Sequence, residues 1–82
     1  MTEHQKQLVV ALYVQYGTGD FTYESFCKLR SHLGLSDQWT EVTIPVLKEQ
    51  NYIKVTQGSN DGIASGKWYA VTHQAVKVMQ DD

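Results

Sequence analysis

Eighty-two residues make one small domain and leave no room for a second, because single domains run from about 50 to 200 residues. A hydrophobic share of 41% beside 20% charged residues excludes a disordered tail, and one cysteine, Cys27, excludes a disulfide-stapled secreted domain and fits a reducing cytoplasm. Nine acidic against seven basic residues, a net charge of −2, exclude a chain that coats nucleic acid by bulk charge, so any such site has to be local. The longest apolar run, Leu8 to Val14, is far short of the roughly 20 residues of a membrane helix. No charged-then-apolar leader precedes a cleavage site, so the chain reads as soluble, cytoplasmic and unprocessed.

The first helix is expected to open at Thr2, with Gln5 completing a capping box, and to run to Tyr16 before Gly17 stops it. Leu8, Val9, Val10, Ala11, Leu12, Tyr13 and Val14 cover every side of it, which predicts burial on more than one face. Two arrangements satisfy that pattern: a central helix within the monomer, or a helix that also forms a homodimer seam at Val10, Tyr13 and Val14.

A second helix starts at Thr22 as cap, with Glu24 in its first turn and Phe21 and Phe26 placed as a hydrophobic staple. Phe26, Leu29 and Leu33 mark its inner face, Lys28, Arg30 and His32 the remaining one, and Gly34 ends it. Ser36 then caps a third helix running through Leu47 to about Gln50; helix, short glycine turn, helix is a helix-turn-helix arrangement. Beyond Asn51 the period switches to alternation, giving strands over Tyr52 to Gln57 and Lys67 to Thr72 around a long loop containing Gly58, Asn60, Asp61, Gly62 and Gly66. Thr72 caps a short last helix with Ala75, Val76 and Met79 inward.

Three segments resemble the winged helix-turn-helix family, in particular its small regulators of the MarR and PadR sort. Leu35 and Ser36, with Leu47 six positions before Ile53, look like the entry and exit of that family's third helix. Asn51, Tyr52 and Ile53 stand where it often has glycine, tyrosine and isoleucine, and Tyr69, Val71 and Thr72 look like its second wing strand entering a final helix. The resemblance covers nearly the whole chain and implies an α+β domain over 1–82: three helices, a two-stranded wing hairpin and a short C-terminal helix. It also implies a third helix in the DNA major groove and a wing on the phosphates or minor groove.

On the third helix the outward side holds Asp37, Gln38, Glu41, Pro45 and Lys48, of which Gln38 and Glu41 are best able to touch base edges. Two acids near its start oppose phosphates, and Pro45, lacking an amide donor and crowding the Glu41 carbonyl, predicts a kink or a late start. Two core faces compete. Thr40, Thr43, Ile44 and Leu47 would leave Trp39, Val42 and Val46 as an apolar stripe, whereas a face centred on Trp39, Thr43, Val46 and Leu47 hides it; the second is preferred, because large apolar residues at helical spacing usually serve a core.

In the hairpin, Ile53, Val55, Tyr69 and Val71 turn inward and Lys54, Thr56 and Trp68 outward, with Lys67 beside them. Lys54, Lys67 and Trp68 can hold a backbone and stack on a base, and Ser59 and Asn60 can add phosphate hydrogen bonds that Asp61 opposes; a positive surface joining Lys28, Arg30, Lys48, Lys54 and Lys67 would favour DNA, and a neutral or acidic one a protein partner. The competing assignment for the same lysines is a solvated hairpin protected at its edge.

Catalytic and metal signals are weak. His4, His32 and His73 are scattered, Cys27 and His32 are out of register, and Asp20 and Glu24 are accounted for by the positive end of the second helix. Gly66-Lys67 lacks the other positions of a phosphate loop, and Gly17-Thr18-Gly19 follows a helix. The expectation is therefore a non-enzymatic domain without cofactor or metal. A DNA-binding, dimeric transcriptional regulator is the preferred function. The alternative is a winged-helix protein-interaction module, for example of a phage or mobile element, that binds a host protein or nucleoprotein through its acidic third helix.

Overall fold

The computed structural model describes residues 1–58 and 66–80. The elements follow in the order α1 (Glu3–Tyr16), β1 (Phe21–Thr22), α2 (Tyr23–His32), α3 (Asp37–Glu49), β2 (Ile53–Gln57), β3 (Trp68–Val71) and α4 (His73–Gln80). Three helices, a wing hairpin and a last helix stand as expected. The addition is β1, which pairs antiparallel with β3 through Phe21 opposite Tyr69 and Thr22 opposite Trp68, giving a three-stranded sheet of order β1-β3-β2.

Local side chains punctuate the chain where capping chemistry requires. Thr2 accepts from the Gln5 amide while the Gln5 side chain accepts from the Thr2 amide, completing the capping box of α1. Thr22 accepts from the Ser25 amide at the start of α2 and Ser36 from the Trp39 amide at the start of α3. The ends of α2 and α3 share one construction. Gly34 (φ 75°) lets the Leu35 amide reach the Arg30 carbonyl at 3.2 Å, and Asn51 (φ 65°) lets the Tyr52 amide reach the Leu47 carbonyl at 2.9 Å. These six-to-one bonds satisfy carbonyls left open at the helix ends, and the left-handed backbone that makes them suits glycine or asparagine.

The core gathers Leu8, Val9 and Leu12 of α1, Phe21, Phe26 of α2, Ile44 and Leu47 of α3, Ile53, Tyr69 and Val71 of the sheet, and Ala75 of α4. On α1 this buries one side, against α2, β3 and α4, and leaves Val10, Tyr13 and Val14 exposed, the last at 80%. The monomer therefore does not cover every face of that helix. On α2 the inner face holds Phe26 with Leu29 half-buried, while Leu33 is exposed at the helix end.

Helix α3 corrects the preferred choice of core face. Thr40, Thr43, Ile44 and Leu47 are buried, whereas Trp39 and Val46 are half-buried and Val42 is 64% exposed. Trp39 packs against the edge of the core cluster while the smaller Thr40 and Thr43 are the ones fully buried, so position on the helix outweighs residue size. Pro45 is accommodated within the helix, which starts at Asp37 without delay.

Thr72 joins the last two elements. Its hydroxyl donates to the Asn51 carbonyl at 2.6 Å and accepts from the Ala75 amide at 3.2 Å, so one side chain caps α4 and ties it to the end of α3. Thr72→Val keeps the shape and removes both bonds. The expected cost is about 1 to 2 kcal/mol, read as a lower urea midpoint at unchanged slope.

Candidate nucleic-acid interface

The second helix of the helix-turn-helix, α3, presents a face that is opposite to its core side. Gln38, Glu41, Val42, Pro45 and Glu49 are each three or four residues from another member of the set, which puts them on one face, and all are exposed. Beside this face, the last turns of α3 and strand β2 enclose a groove of about 500 Å³ lined by Pro45, Lys48, Glu49, Asn51, Ile53, Lys54 and Val55. Lys48 and Lys54, which lie six residues apart on different elements, thus share one concavity. Its floor depends on the turn at Asn51, whose side-chain amide donates to the Gln74 carboxamide at 3.4 Å, with the Gln74 amide donating to the Gln50 carbonyl at 3.4 Å. The sequence marked Asn51 only as the point where the period changes, and its part in the groove comes from the fold.

Lys54, Thr56 and Trp68 point away from the core, and Ile53, Tyr69 and Val71 into it, with Val55 half-buried. The pairing of Ile53 with Val71 and Val55 with Tyr69 fixes that alternation, and an irregularity between Val55 and Gln57 brings Gln57 opposite Trp68. Lys28 is exposed on α2. Ser59 and Asn60, expected above to add phosphate hydrogen bonds, and the loop residue Asp61 lie outside the described residues.

Two of the expected outward cations are buried. Arg30 is 8% exposed; its guanidinium donates to the Leu35 carbonyl at 2.6 Å and meets the Asp37 carboxylate at 2.6 Å. It therefore stitches the end of α2, the turn and the start of α3 together, and the charge of Asp37 is met within the protein. A surface charge seven residues from an acid across a glycine turn was the available signal. Lys67 is 7% exposed because its stem lies over Gly58, where an added Cβ would stand 3.0 Å from the Lys67 Cγ. Long basic side chains commonly bury their methylenes this way, and a glycine just beyond the end of β2 gives the room. A continuous positive surface through Arg30 and Lys67 is accordingly not formed.

The Tyr23 phenol is pushed up to about 12, first by its hydrogen bond with Cys27, then by burial and by the nearby Cys27 and Glu41 charges, with Arg30 opposing. It is a neutral hydrogen-bonding group at physiological pH. Burial alone raises Tyr69. Among the described residues no group of three or more His, Cys, Asp or Glu side chains is placed to hold a metal ion, and no helix is long and apolar enough to cross a membrane.

Element order, sheet topology and the helix-turn-helix followed by a hairpin define a winged helix-turn-helix fold. The chain is similar to the solved structure of a mutant of ZitR from Lactococcus lactis, with a TM-score of 0.66 and 22% sequence identity over 99% of this chain and 49% of that one. It thus spans about half the length of the ZitR chain. No family model matches the sequence, and no curated protein matches it.

Proposed function

We propose that the chain is a DNA-binding transcriptional regulator in which α3 enters the major groove and the β2–β3 hairpin contacts the sugar-phosphate backbone. The observation that carries this reading is the exposed face of α3 standing beside the groove that holds Lys48 and Lys54. In helix-turn-helix domains the second helix lies in the major groove with the residues near its start on base edges, which places Gln38 and Glu41 there. Lys54, on the hairpin side, and Lys28, on α2, supply phosphate contacts, Lys48 flanks the helix, and Trp68 offers a stacking surface. Arg30 acts by fixing α3 against α2. The winged-helix fold shared with ZitR supports the assignment at the level of architecture.

Two copies pair through the exposed Val10, Tyr13 and Val14 of α1, in a cytoplasmic setting that the single thiol of Cys27 suits. The expected result is a sedimentation mass that rises with concentration toward a dimer and returns to the monomer value in Tyr13→Glu.

Binding of pooled random duplexes at low ionic strength tests the proposal, because electrostatic attraction is then least screened. Retention that weakens linearly on a log-log plot with salt is expected, and Lys54→Ala reduces the slope by about 0.9 while leaving the fold intact. A folded wild-type protein that retains no duplex under these conditions refutes the regulator and leaves α3 as a surface for a protein partner.

A further inference from the structure

We infer that α3 reads A·T pairs, Gln38 taking the adenine edge and Val42 the thymine methyl, with no guanine contact from its outward face; this rests on the DNA-binding reading. Gln38 and Val42 are one helical turn apart on the same exposed face, within the first half of α3. Thr40, Thr43, Ile44 and Leu47 occupy the opposite side, so neither Gln38 nor Val42 is recruited by the core. Val42 at 64% exposure is an apolar side chain on the face a helix normally gives to solvent. In the major groove that side chain has a matching surface: thymine alone among the bases carries a methyl group there.

Gln38 has the complementary polar chemistry. Its carboxamide can donate to adenine N7 and accept from the adenine N6 amine together, the pairing available to glutamine and asparagine. The commonest guanine contact needs arginine or lysine on N7 and O6. The outward face consists of Gln38, Glu41, Val42, Pro45 and Glu49, which includes neither. Lys48 sits half-buried at its margin on the groove, and Arg30 is engaged with Leu35 and Asp37. Glu41 can accept only from a base amine, which adenine and cytosine offer and guanine does not in this groove. Cationic attraction therefore comes from the flanks, at Lys28 and Lys54, while the centre of the helix discriminates by shape and by amide geometry.

The experiment selects bound duplexes from a random pool with the wild-type protein, then remakes the selected site with single thymines replaced by uracil and single adenines by 7-deazaadenine. One uracil, which lacks only the methyl, is expected to weaken wild-type binding about fourfold and to have no effect in Val42→Ala. One 7-deazaadenine, which lacks the N7 acceptor and keeps the N6 amine, is expected to weaken it by about 2- to 13-fold, the range of one hydrogen bond, and to be without effect in Gln38→Ala. Both positions are exposed, so the variants should keep the wild-type urea midpoint, which is measured alongside. Selected sites whose binding ignores both base changes, while duplex binding persists, overturn this readout and leave the DNA-binding reading standing. A selected site dominated by guanines at sensitive positions also overturns it. Failure to retain any duplex at low salt removes both.

Discussion

Phe21→Ala should lower the free energy of unfolding by about 3 to 5 kcal/mol, a large part of the stability of a domain this size. Phe21 is buried, and its ring lies 5.7 Å from that of Tyr16 and 6.1 Å from that of Tyr69, so it joins the end of α1 to the central strand. It also forms half of β1 and precedes the cap of α2, with Phe26 in the same core cluster as the other end of the staple. Alanine therefore removes transfer energy, leaves a cavity between three elements and loosens the entry into α2. Urea titration followed by circular dichroism gives the value, and thermal unfolding should fall by more than about 10 °C. Val14→Ala on the exposed face of α1 is the control, expected within about 0.5 kcal/mol in the monomer. A Phe21→Ala loss below about 1 kcal/mol would mean that the sheet edge and the staple are independent of this ring.

The same residue illustrates how far a linear sequence speaks for the fold. Caps were legible because Thr2, Thr22, Ser36 and Thr72 act on amides three residues away, and the stop of α2 because Gly34 accepts a left-handed backbone. The faces of β2 were legible because alternation is local too, whereas β3, the central strand, buries Tyr69, Ala70 and Val71 in succession. Strand β1 was not, since two residues cannot display a period and its existence depends on pairing with β3, 47 positions on. The core face of α3 was misjudged for a related reason. Residue size favours Trp39, but it packs only at the margin of the core, and the side that is fully buried carries Thr40, Thr43, Ile44 and Leu47.

The candidate site divides along the same line. Gln38, Glu41 and Lys54 are where periodicity puts them, exposed on α3 and β2. Arg30 and Lys67 are not, because a charge can be buried when a partner or a glycine across the fold accommodates it, and neither circumstance is written next to the residue in the chain. The cationic side of the proposed interface is consequently narrower than a count of lysines and arginines suggests, and on the DNA-binding reading the acids on α3 carry more weight in setting its affinity.

Glu41→Lys should therefore strengthen binding to random duplexes by about ten- to a hundredfold at low salt, and steepen its salt dependence by a slope of about 1. Glu41 stands exposed at the centre of the outward α3 face, and its charge is near enough to Tyr23 to help hold that phenol protonated. Asp37 is compensated by Arg30, which leaves Glu41 and Glu49 as the other exposed acids of that face. A lysine at position 41 both removes a repulsion and adds an attraction, whereas Glu41→Gln does the first alone and should fall between it and wild type without adding a counterion to the slope. The gain should be accompanied by weaker discrimination, because a phosphate contact is the same for every sequence while a carboxylate restricts which base edges are tolerated. Titration of labelled random and selected duplexes over a range of salt measures both effects on one preparation. Equal affinity and slope for wild type, Glu41→Gln and Glu41→Lys, in proteins that keep the wild-type urea midpoint, would place the outward face of α3 away from DNA.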